Sequence, residues 1–204
     1  MTFQLHVLTT GDQDIETAAS TAAAIHPFVD YIHIREKHRQ AREVLCWAER
    51  FLQAGVPSQK LIINDRLDVA LAVNAGGVQL TEDSLPLIKA RQLAPAKLIG
   101  CSAHRPDQAA RLSKNQASFI FLGHIYETAC KPLLAPIGLQ ALQKAAASSS
   151  APIIAIGGVA PGHIKELKQA GAGGIAVMSG VFGSPDPIKQ AIVYQKTIKR
   201  EENS

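Results

Sequence analysis

Short apolar, β-branched runs recur eight times along this chain, and that recurrence restricts its fold more than any other feature. They begin near Gln4 (QLHVLT), Tyr31 (YIHIRE), Lys60 (KLIIND), Gly76 (GGVQLT), Lys97 (KLIGCSA), Phe119 (FIFLGHIY), Pro152 (PIIAIGGV) and Gly174 (GIAVMSGVF). Between them lie segments with helical spacing. AREVLCWAERFLQAG puts Val44, Trp47, Ala48 and Phe51 on one face and stops at Gly55. HIKELKQAG groups Ile164, Leu167 and Lys168 and stops at Gly171. Strands that are almost continuously apolar are buried on both faces, as in a parallel sheet covered by helices. Eight strand–helix units in 204 residues predict one α/β domain over 1–204, a closed (β/α)8 barrel of TIM type. An open doubly wound sheet is the competing arrangement. It requires a glycine-rich first turn, and LTTGDQD is not G-x-G-x-x-G. The stretch AAASSSA (145–151) reads as the end of the sixth helix rather than a linker, and the tail KTIKREENS as the fraying end of the last helix.

A chain of this length buries roughly 70% of the surface its unfolded form exposes, so its core needs no disulfide or metal. Hydrophobic residues make up 47% and charged residues 19%, which excludes a disordered chain. Cys46, Cys101 and Cys130 are odd in number and far apart, which points to a reducing compartment. MTFQLHVLTT lacks a secretory leader pattern, and no run approaches the roughly 18 apolar residues of a membrane span. A cytoplasmic protein without a membrane partner is therefore expected. The net charge of +4 is spread along the chain; it fits an anionic small ligand or plain solubility. No basic stripe marks a nucleic-acid partner, and a homo-oligomer is left open.

In such barrels the site is built from strand C-termini and the loops after them. That rule gathers His33, Arg35, Glu36 and Lys37 from the second run, Asn64 and Asp65 from the third, and Ser102 and His104 from the fifth. The sixth run adds His124, Glu127, Thr128 and Lys131. The last two runs end in Gly157-Gly158 and in Met178-Ser179-Gly180. Backbone N–H groups after these two strands commonly hold a phosphate, and glycines allow the close approach. Gly157, Gly158, Met178, Ser179 and Gly180 are thus the expected phosphate site. Arg35 and Lys37 are suited to a carboxylate or phosphate, with an ion pair to Asp65 or Glu127 as the competing use. His33 reads as a core residue. His124 is an imidazole, able to exchange protons near neutrality, at the catalytic end of an apolar strand.

Seven motifs, in order, carry a family resemblance. They are HIREK (33–37), IND (63–65), GVQLTEDS (77–84), CSAH (101–104), GHIYETACK (123–131), AIGG (155–158) and VMS (177–179). Together they resemble thiamine phosphate synthase and its relative TenI, a thiazole tautomerase. The synthase pattern implies magnesium-assisted displacement of pyrophosphate from a pyrimidine substrate by a thiazole phosphate. Against that pattern Ser84 stands where a second aspartate is expected, with Asp83 adjacent. Cys130 stands where the pattern has a threonine, His33 where it has a glutamine, and His124 where it has a proline. These departures favour the TenI side. The resemblance then implies an isomerase that aromatises a small phosphorylated thiazole carboxylate by a 1,3-proton shift. His124 would be the acid/base; Arg35, Lys37, Asn64, Ser102, Thr128 and Lys131 would hold the substrate. No metal or cofactor is expected, and activity should persist under chelation. The synthase itself and a non-catalytic TenI-like regulator are the alternatives.

Overall fold

In the computed structural model, which describes residues 2–202, the eight apolar runs become eight parallel strands. They are β1 (Gln4–Leu8), β2 (Tyr31–Ile34), β3 (Leu61–Asn64), β4 (Gly77–Leu80), β5 (Leu98–Ala103), β6 (Phe119–Gly123), β7 (Ile153–Ile156) and β8 (Gly174–Val177). Neighbours pair in sequence order, and β8 returns to β1 with Gln4 opposite Gly174 and Val7 opposite Val177, so the sheet is a closed barrel. The helices α1 (Ile15–Ile25), α2 (Ala41–Gln53), α3 (Leu67–Ala72), α4 (Leu87–Leu93), α5 (Pro106–Lys114), α6 (Gly138–Ser148), α7 (Ile164–Gln169) and α8 (Pro187–Glu202) surround it. The single α/β TIM-barrel domain read from the sequence is what forms. The serine-rich stretch does end α6; the last two residues of the tail, 203 and 204, lie outside the described residues. No helix among the described residues is long and apolar enough to cross a membrane.

Each helix docks through the face its spacing specifies. Val44, Trp47, Ala48 and Phe51 are the buried residues of α2, and Ile164 and Leu167 those of α7. Burying a large apolar side chain of this kind contributes about 1.5–3 kcal/mol. Lys168 differs from its expected place on that apolar face. Its ammonium lies 5.9 Å from the Phe3 ring centroid and donates to the Glu201 carbonyl at 2.5 Å, because a long cation can run along apolar surface while its head finds an acceptor.

The barrel interior is a separate, smaller core of Leu8, Phe119, Phe121, Ile154 and Ala176. Two histidines stand inside it. His6 Nε2 donates to Gln4 Oε1 at 3.1 Å, so in the neutral ring His6 Nδ1 accepts from His33 Nε2, 2.9 Å away. His33 Nδ1 is left without a partner among the described residues. Phe119 and Phe121 lie against both imidazoles, with Tyr31 on His6. Burial pulls the His33 imidazole down to about 3, while burial and then His33 pull His6 well below its ordinary value.

The sign of the pH effect follows. The unfolded chain binds these protons below about pH 6.5, whereas the folded barrel refuses them. Stability from the neutral pair is complete above that pH and is lost as pH falls towards the folded values. In that window each imidazole costs about 1.4 kcal/mol per pH unit. Urea unfolding of His33→Gln should therefore lose about 1–2 kcal/mol less than the parent between pH 7 and pH 5. Parallel pH profiles for the two proteins would show that His33 is not held neutral.

Candidate functional site

Alternate residues of each strand point into the barrel, and past the interior core the last layer opens into a cavity of about 530 Å³ at the strands' C-terminal ends. Leu8, Phe121, Ile156 and Ala176 form its apolar floor. Every residue given a catalytic, substrate-binding or phosphate-binding role from the sequence lines it: His124; Arg35, Lys37, Asn64, Ser102, Thr128 and Lys131; Gly157, Gly158, Met178, Ser179 and Gly180. Of the other strand-end residues His104 lines it, while His33, Glu36, Asp65 and Glu127 do not.

Part of the cavity lining is cationic. β2 stops at Ile34, so Arg35 and Lys37 stand on the loop beyond it, with Lys131 joining from the loop after β6. Lys37 is held below its usual lysine range by Arg35 first, then by burial and by Lys131. Cations pressed together in this way favour an anion among them. Arg35 Nη1 lies 3.6 Å from Met178 Sδ, and the acidic member of the motif is used elsewhere. Glu36 is buried, accepting from Thr9 Oγ1 at 2.8 Å and pairing with Arg39 at 3.2 Å.

Another part of the lining is built from glycine backbone. Gly157 and Gly158 have φ of +94° and +67°. A side chain at Gly157 would strike His124, and one at Gly158 would lie 2.3 Å from the Glu127 carbonyl oxygen. The Gly157 carbonyl accepts from Tyr126 N at 3.1 Å, on the β6 side. In a trans peptide N–H and C=O are opposed, so the Gly158 N–H points away from the Tyr126 backbone. That loop turns tightly, with the Met178 carbonyl accepting from the N–H groups of Val181 (3.2 Å) and Phe182 (3.0 Å). Tyr126 latches the glycine turn from behind. Its ring stacks on His163 at 4.0 Å and its hydroxyl donates to Glu166 Oε1 at 2.5 Å, a bond that with burial pushes the phenol up.

His124 is only 6% exposed. Its Nε2–H donates to the Leu134 carbonyl at 3.0 Å, and its own carbonyl accepts from Ile137 N at 2.9 Å, so the residue pins the loop that carries Thr128 and Lys131.

Gln79 and Tyr194 are among the lining residues that the sequence did not mark, and His104, gathered at the end of the fifth run, had no role assigned to it. Gln79 donates from Nε2 to Ser102 Oγ at 3.1 Å; a glutamine in the middle of a buried strand was the available signal. His104 donates from Nδ1 to the Gly123 carbonyl at 2.8 Å, which leaves its Nε2 as an acceptor at the cavity; CSAH held that signal. Tyr194 comes from α8, where nothing local marks it.

The family model described as thiamine monophosphate synthase matches residues 5–181. A thiamine-phosphate synthase of Chloroflexus aurantiacus is 40% identical over 169 residues, covering 80% of this chain and 77% of the relative. One from Halalkalibacterium halodurans is 38% identical over 191 residues, covering 90% of each. The thiamine phosphate pyrophosphorylase structure from Pyrococcus furiosus superposes with a TM-score of 0.82 at 29% identity, covering 98% of this chain and 96% of that one. These names overturn the expectation of an isomerase and, with it, of His124 as the carrier of a proton shift. The departures at 33, 84, 124 and 130 do not take the chain out of that family, and Arg35, Lys37, Lys131 and both glycine turns line the cavity.

Replacing Gly158 with valine forces a branched side chain into positive φ against backbone, a strain of about 1–3 kcal/mol at the turn itself. Calorimetry with inorganic phosphate should show affinity reduced about 10-fold or more in Gly158→Val. Unchanged affinity would place the anion elsewhere.

Proposed function

The chain belongs to the thiamine monophosphate synthase family, and on that premise we propose that it joins a pyrimidine diphosphate to a thiazole phosphate, releasing pyrophosphate. The relatives it matches are named thiamine-phosphate synthases, whose chemistry is transfer and not isomerisation. One observation supports the reading: a single cavity is lined both by cationic side chains, Arg35, Lys37 and Lys131, and by the glycine turns after β7 and β8. Both substrates of such a condensation are phosphorylated, and they must lie side by side.

In this reading the glycine turn and Ser179-Gly180 hold the thiazole phosphate. Arg35, Lys37, Thr128 and Lys131 hold the diphosphate of the pyrimidine. Asn64, Gln79 and Ser102 face the rings between them. A bond forms between the thiazole ring nitrogen and the pyrimidine methylene carbon, and the carbon–oxygen bond to pyrophosphate breaks with its electron pair leaving on oxygen. The cations receive that charge in a cavity with an apolar floor, where fixed charges act more strongly than in water. Holding both reactants in line removes the entropy of bringing them together.

Magnesium is implied by the family, and the oxygen donors present fit it. The Asp65 carboxylate accepts from Ser84 Oγ, which also bonds Thr81 Oγ1 at 3.0 Å, and Asp83 lines the cavity beside them. Among the described residues no cluster of three His, Cys, Asp or Glu has metal-binding geometry. One or two carboxylates suffice where substrate phosphates complete the shell. Asp65 and Asp83 are the residues that would hold the ion, and when bound it supplies positive charge to the departing pyrophosphate. The expectation of chelator-resistant activity belonged to the isomerase reading and goes with it.

Mixing the aminopyrimidine diphosphate with hydroxyethylthiazole phosphate and magnesium should give thiamine phosphate and pyrophosphate in equal amounts, and EDTA should suppress both. Lys131→Ala should lower kcat/KM about 10- to 100-fold, the effect of losing a charged hydrogen bond. No thiamine phosphate at any magnesium concentration would overturn the reading.

A further inference from the structure

The Gly157–Val159 turn and the Ser179–Gly180 turn belong to different strands, and one side chain from outside the barrel meets both. Tyr194 lies on α8, outside the barrel, yet it is 2% exposed and its ring reaches the cavity wall. Its hydroxyl donates to the Val159 carbonyl at 2.8 Å, next to the glycine turn after β7. The same hydroxyl faces Gly180 after β8: a Cβ built there would lie 2.8 Å from the hydroxyl oxygen, closer than such atoms approach, and 3.6 Å from the ring Cζ.

We infer that Tyr194 is a positioning residue for phosphate recognition, its hydroxyl fixing the spacing between the Gly157–Val159 turn and the Ser179–Gly180 turn. The inference rests on reading those turns as the phosphate site. Burial pushes the Tyr194 phenol up to about 12, so it stays protonated and remains a donor throughout the working pH range. The contact also gives a reason for glycine at 180. The backbone there is not in the positive-φ region, so alanine is conformationally acceptable and only the hydroxyl stands in its way. Removing the hydroxyl while keeping the ring leaves 3.6 Å from the new methyl to Cζ, an ordinary van der Waals separation.

The test compares Tyr194→Phe, Gly180→Ala and the double variant, with hydroxyethylthiazole phosphate, the unphosphorylated hydroxyethylthiazole and pyrophosphate as probes. Tyr194→Phe should bind the thiazole phosphate about 3- to 10-fold more weakly, as expected for one neutral hydrogen bond. Its affinity for the alcohol and for pyrophosphate should stay at the parent's values, which a general loosening of the barrel would not allow. Gly180→Ala should weaken thiazole phosphate binding at least as much in the parent background but add little in Tyr194→Phe, because the clash has gone. A Tyr194→Phe protein that keeps the parent's preference for phosphate over alcohol would overturn the inference. So would a Gly180→Ala effect of equal size in both backgrounds. A parent that binds phosphate and alcohol alike would overturn the phosphate site itself, and the inference with it.

Discussion

Closure of the sheet by pairing β8 back onto β1, with Gln4 opposite Gly174 and Val7 opposite Val177, sets the other geometric relations in this molecule. Because the strands are parallel and the ring is complete, every C-terminal end faces the same way. Arg35, Lys131 and Gly158 are far apart in sequence, yet each follows a strand and so reaches one cavity. Closure also leaves no unpaired edge, so the backbone's hydrogen-bonding capacity is met by neighbouring strands. Loops at the open end are then free to carry function on a rigid support.

The interior beneath the cavity is unusual in being polar at its centre. A chain of hydrogen bonds runs from Gln4 through His6 to His33, walled by Phe119 and Phe121. Buried polar groups are costly when unmatched, and this chain satisfies all but its last nitrogen. Above it, the cavity has an apolar floor, with cationic side chains and glycine turns around it.

The strand–helix order was legible because period-2 and period-3.6 patterns survive in the sequence; the faces of α2 and α7 came out residue by residue. Strand starts fell one residue early at Lys60, Gly76, Lys97 and Pro152, since flanking residues share the composition of the strands they precede. The cavity residues were legible through the rule that strand ends make the site. Tyr194 was not, because its place depends on how α8 packs across two loops, and no spacing in the sequence encodes that. The reaction was misread for a different reason. Ser84 and Cys130 read as losses from the synthase pattern, and His124 as an acid/base group gained. In the fold Ser84 donates to Asp65, His124 ties down the Lys131 loop, and Lys37 and Arg35 line the same cavity as Cys130.

Two anions held at once in one cavity is the physical core of a condensation between phosphorylated partners. It is tested directly by titrating the protein with pyrophosphate in the absence and presence of saturating hydroxyethylthiazole phosphate, with magnesium, by calorimetry. The expected result is one site for each ligand, with pyrophosphate still binding when the thiazole phosphate site is full. Mutual exclusion, with the thiazole phosphate displacing pyrophosphate from a single shared site, would contradict it.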